Sequence, residues 1–120
     1  MKGHALSTLT ALSSDEARAA YLAVRVPATY AAVVAALGWA REAFSDEIRT
    51  VLDLGSGPGT ALWAAMQVFP AIKSATAVER ETRLIEVARR LGACAEASAL
   101  REALWLQGDL AADLPEGTWD

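Results

Sequence analysis

The spacing of apolar positions changes near residue 46, and the change divides the chain into two kinds of pattern. Ahead of it the spacing is helical. Ala17, Ala20, Tyr21 and Val24 fall on one face, and Ser13 with Glu16 reads as a capping box in front of them. Pro27 predicts a break near Val24 or Arg25 and suits the first turn of a second helix. The stripe of that second helix is Tyr30, Val33, Val34, Leu37 and Phe44, and it is expected to end before Ser45 and Asp46.

Beyond residue 46 short apolar runs alternate with amphipathic ones. Thr50–Leu54 is apolar on both faces, as in strands covered on both sides of a parallel sheet. A glycine-rich turn follows at 55–59, and then a helix with Leu62, Ala65, Met66 and Phe69 on one side and Pro70 at its end. Ser74–Glu79 predicts a second strand. The spacing predicts a helix over 81–91, with Leu84, Val87, Ala88 and Leu91 inward and Gly92 as its stop. Residues 103–107 make a third strand, with Gly108 and Asp109 beyond it. This alternation predicts an α/β fold: the first half, about three strands, of a Rossmann-like doubly wound parallel sheet, preceded by two N-terminal helices. It divides the chain into a helical segment at 1–45 and a ligand-binding domain, or its front part, at 46–120.

Composition narrows the partners. The chain is 53% hydrophobic and 22% charged, which is globular. No run approaches 18 apolar residues, so no membrane span or membrane partner is expected, and no signal peptide is read at the N-terminus. The net charge of −4 is uneven: residues 1–45 carry +1 and the remainder −5. That excludes a large basic surface for nucleic acid, though Arg18, Arg25 and Arg41 leave the first segment suited to a localised contact or a docking role. Cys94 is the only cysteine and His4 the only histidine. No internal disulfide or metal site is expected, and a reducing cytoplasm suits the chain.

The candidate chemistry lies in Asp53-Leu54-Gly55-Ser56-Gly57-Pro58-Gly59-Thr60. A buried strand turns sharply into a helix, and the glycines allow positive φ and close approach of a ligand to the backbone. A dinucleotide turn reads G-x-G-x-x-G, but here Thr60 holds the last position and the third glycine comes one residue early. A phosphate loop needs a following lysine, and none is present. The pattern better suits S-adenosyl-L-methionine, a ligand with an amino-acid end, a nucleoside end and no phosphate. Glu79 ends the second strand, placed to accept both hydrogen bonds of a ribose diol. Asp53, an acid within an apolar strand, needs a partner and can orient the methionine amino group. Asp109 reads equally as an adenine contact or a turn residue. The cofactor set is therefore Asp53, Gly55, Ser56, Gly57, Gly59, Glu79 and Asp109.

With these residues in view, the sequence resembles the class I S-adenosylmethionine-dependent methyltransferases. Residues 52–59 match their first motif, Glu79 the acid of the second and Gly108-Asp109 the third. More narrowly, Tyr21, Arg25, Pro27, Thr29, Tyr30, Ala31 and Ala32 are similar to the methyltransferase-like proteins that assist small-ribosomal-subunit assembly in bacteria and mitochondria. That resemblance implies a methyltransferase fragment acting on rRNA or a ribosome-associated target. The alternative is a non-catalytic assembly factor that holds the cofactor as a structural ligand. It also implies that catalytic residues follow Asp120, where a fourth strand would begin. Alone, the chain is then expected to be inactive, to bind cofactor weakly and to self-associate through the unpaired edge of Thr50–Leu54.

Overall fold

The computed structural model describes residues 14–112 and 114–120. One helix, α1 (Asp15–Ala43), opens the fold. It is followed by β1 (Thr50–Leu54), α2 (Thr60–Val68), β2 (Ser74–Glu79), α3 (Thr82–Ala93), α4 (Ser98–Arg101) and β3 (Leu104–Gln107). The strands form one parallel sheet in the order β1-β2-β3, so consecutive strands are neighbours joined by helical crossovers, as the alternation predicts.

The expected pair of N-terminal helices is a single helix, with Pro27 inside it. Proline removes one hydrogen bond, the one its missing N–H would give to the Ala23 carbonyl. Pro27 is exposed, and the alanine-rich sequence on both sides favours helix. The cap also differs. Ser13 lies outside the described residues, and it is Ser14 whose hydroxyl accepts from the Ala17 N–H at 3.1 Å. Val24, expected on a buried face, is 72% exposed. The stripe of Tyr30, Val33, Val34 and Leu37 is half-buried, and α1 packs on α2. At the far end the Arg41 guanidinium donates to the Val68 carbonyl at 2.9 Å. That caps the last turn of α2, a structural role for a side chain expected to serve docking. Contrary to the sequence reading, Ala23–Ala43 is long and apolar enough, with a mean hydropathy of 1.3, to cross a membrane by length and composition. Between Arg25 and Arg41 it carries no charge.

β2 is the central strand. Ala75, Thr76, Ala77 and Val78 are all buried, and Ala75 and Ala77 belong to a core with Leu62, Ile85, Ala88, Leu100 and Trp105. β1, by contrast, is only half-buried and lies at the edge of the sheet. Its start is held by Asp120. The Asp120 carboxylate accepts from the backbone N–H of Arg49 (2.8 Å) and Thr50 (2.9 Å), and the Asp120 N–H donates to the Thr50 hydroxyl at 2.8 Å. These backbone donors hold the Asp120 carboxyl below its ordinary range. Beside this edge, a cavity of about 340 Å³ is lined by apolar side chains that include Leu37, Phe44, Val51, Ile72 and Trp119.

α3 runs two residues further than its sequence suggests, to Ala93. Gly92 is inside the helix and buried, with Cys94 as the C-cap. The inward face also rotates: Ile85 is 4% exposed and Leu91 46% exposed. A β-carbon at position 92 would sit 2.9 Å from the Leu100 carbonyl oxygen. Gly92 is therefore selected by the close passage of the α4 backbone, and not by the need to stop a helix. Helix propensity alone would make Gly92→Ala stabilising by about 1 kcal/mol. The overpacked contact reverses the sign, and a net loss of about 1–3 kcal/mol is expected in urea denaturation.

Candidate functional site

The site forms where β1 and β2 end and α2 begins. Leaving β1, the chain passes through Gly55, Gly57 and Gly59, all with positive φ. Two of these positions need glycine for separate reasons. At Gly59 (φ +91°) a β-carbon would lie 2.8 Å from the Trp105 ring, so the loop rests directly on the indole of β3. At Gly57 (φ +54°) a β-carbon would meet nothing within 4 Å. Its backbone faces open space, the surface that a ligand needs in order to approach.

Backbone bonds fix this loop to β2. The N–H groups of Gly55 and Ser56 both donate to the Val78 carbonyl, at 2.8 and 3.1 Å. Glu79 adds a second tie: one carboxylate oxygen accepts from the Gly57 N–H at 3.0 Å and the other from the Glu81 N–H at 2.7 Å. The Glu79 carbonyl accepts from the Gly108 N–H at 3.0 Å, which carries the connection to the end of β3. The sequence marks Glu79 as an acceptor for a ligand. The structure also makes it the clasp that positions the loop. Each oxygen retains acceptor capacity beyond its one backbone bond.

Asp53 is half-buried in β1. Its Oδ2 atom, like the Ser56 hydroxyl, is buried and has no hydrogen-bond partner. Burial first, and the negative charge of Glu79 second, hold the Asp53 carboxyl above its ordinary range. Orphaned polar atoms of this kind are rare in folded chains and mark a place where a donor is missing. Asp109 is exposed, and its carboxylate accepts from the Ala111 N–H at 2.9 Å. That is the turn reading, although Asp109 also borders the site.

Two cavities meet at Gly55. One, of about 210 Å³, is lined by Arg25 and Thr29 of α1 together with Asp53, Ser56, Gly57 and Thr60. The other, of about 250 Å³, is lined by Val78, Glu79, Arg80, Gly108, Asp109 and Leu110. The seven sequence-marked positions thus gather around one loop. Trp105 beneath Gly59, and Arg25 and Thr29 above Asp53, were not marked for this site. Their proximity arises from packing between elements, which no local spacing encodes. Among the described residues, no cluster of His, Cys, Asp and Glu is arranged to hold a metal.

This architecture is that of a Rossmann-like methyltransferase fold. The plantazolicin methyltransferase BpumL in complex with SAH matches with a TM-score of 0.62 and 16% identity, over 89% of this chain and 40% of that one. YjhP from E. coli matches with a TM-score of 0.52 and 23% identity, over 72% of this chain and 33% of that one. The chain thus spans two-fifths or less of the length of these proteins. No curated protein matches. The family model of the mitochondrial small ribosomal subunit protein Rsm22 matches residues 15–115, and the chain belongs to that family.

The electrostatics of Asp53 give a pH test with a definite sign. The folded chain holds the Asp53 proton more tightly than the unfolded chain does, so this group stabilises the fold at acid pH. That contribution is lost as pH rises through the raised folded-state pKa. Asp53→Asn carries no charge at any pH. It is expected to raise the neutral-pH unfolding temperature by a few degrees and to flatten this part of the profile, as read by thermal denaturation across a pH series.

Proposed function

We propose that this chain is the cofactor-binding part of a methyltransferase-like protein of the small ribosomal subunit, and that its ligand is S-adenosyl-L-methionine. The observation that carries the reading is the pairing of an orphaned, buried Asp53 oxygen with an open Gly57 backbone and a fixed Glu79 carboxylate. Asp53 would receive the ligand's ammonium, the loop of residues 55–57 would pass beneath its sulfur-bearing chain, and Glu79 would accept the ribose diol. The bound cofactor would supply an activated methyl group. The ends of parallel strands are where open α/β sheets bind ligands, and the solved relative BpumL holds SAH on a similar fold. Two juxtaposed acids disfavour a dinucleotide, whose pyrophosphate would add further negative charge to the same site. The ribosomal side of the proposal is supported by membership of the Rsm22 family.

Calorimetry with S-adenosylhomocysteine and NADH tests the cofactor. Binding of the former and not the latter is expected. Glu79→Ala should weaken S-adenosylhomocysteine by about 1.5–3 kcal/mol, the range for a charged hydrogen bond. Gly57→Val should abolish binding by filling the approach to the backbone. Unchanged affinity in both variants overturns the assignment. Transfer of labelled methyl to small-subunit particles separates a catalyst from an assembly factor that only holds the cofactor.

A further inference from the structure

We infer that α1 supplies the anion-binding half of the amino-acid subsite: Arg25 binds the carboxylate of the ligand whose ammonium is held by Asp53. The inference rests on the cofactor reading above and assigns to it a residue from outside the glycine-rich motif. Arg25 and Thr29 lie one helical turn apart and line the same cavity of about 210 Å³ as Asp53 and Gly57. That cavity therefore carries one acidic and one basic side chain. Among the described residues no salt bridge joins the two; the Asp53 Oδ2 atom is buried and unpaired. A ligand group with both charges on one carbon, an α-amino acid, satisfies both walls at once. An anion alone would be repelled by Asp53, and a cation alone would leave Arg25 unmatched.

The two arginines of α1 that the structure describes are thereby distinguished. Arg41 is committed to the Val68 carbonyl at the far end of the helix, whereas Arg25 faces the ligand cavity. The packing of α1 on α2 through Tyr30, Val33 and Leu37 sets the height of Arg25 above the loop. Thr29 adds a hydroxyl beside it. Arginine suits the task because its planar, permanently charged fork matches a carboxylate with two parallel bonds.

The test is calorimetry on the full-length protein with three ligands: S-adenosylhomocysteine, its decarboxylated analogue and 5′-methylthioadenosine. Arg25→Ala is expected to weaken S-adenosylhomocysteine tenfold or more and to leave the other two unchanged, since neither has a carboxylate. Arg25→Lys should restore part of the loss. The side chain is exposed on a helix, so the substitution leaves folding intact, which circular dichroism checks. Undiminished S-adenosylhomocysteine affinity in Arg25→Ala overturns the inference, as does an equal loss for all three ligands. Failure of the native protein to bind any of the three overturns the cofactor reading itself, and this inference with it.

Discussion

The carboxylate of Glu79 holds two backbone amides that the sequence keeps far apart, those of Gly57 and Glu81. Much else in the molecule depends on that convergence. It ties the turn after β1 to the turn after β2, so the loop entering α2 and the loop entering α3 have one fixed relation. Charge assistance makes each bond stronger than a neutral one. The Val78 carbonyl, accepting from Gly55 and Ser56, reinforces the same junction from one residue earlier. The arrangement has a cost, because the charge of Glu79 also acts on Asp53 and makes its ionisation less favourable. A fold selected for stability alone would place no second acid there. Two neighbouring acids, one of them with an orphaned oxygen, are a local departure from what stability alone would select.

How much of this is legible in the sequence depends on how local the cause is. The three strands and the glycine-rich turn are visible because short apolar runs and glycines are local signals. The positions of Asp53 and Glu79 follow, since both sit near the ends of those strands. The misreadings have non-local causes. Pro27 signals a break, but its loss of one hydrogen bond is outweighed by the alanine-rich helix around it and by packing on α2. Gly92 looks like a helix stop because α4, whose Leu100 carbonyl it faces, has no strong signal of its own in four residues. Ile85 replaces Leu91 on the inner face because α3 is placed by its packing on β2, β3 and α4. Arg25 and Arg41 look alike in sequence, and only the geometry separates a side chain beside the glycine-rich loop from a helix cap.

The edge position of β1 explains a further contrast. β2, with neighbours on both sides, is buried along most of its length, whereas β1 is half-buried and its last residue, Leu54, is 45% exposed. An apolar strand at the margin of a sheet is unusual without charged or bulged protection. Here Asp120 satisfies the first N–H groups of that margin, and Trp119 lines the apolar cavity beside it. The segment after β3 therefore returns across the sheet to its opposite side, passing from β3 over to β1.

The strand order has a consequence for how the chain acquires its shape during synthesis. Because β1, β2 and β3 pair in the order in which they are made, every ladder closes on the segment just completed, and none waits for a distant partner. The acids and glycines of the site all fall between Asp53 and Asp109. A nascent chain emerging N-terminus first can assemble this pocket vectorially, strand by strand, with short loops to close at each step.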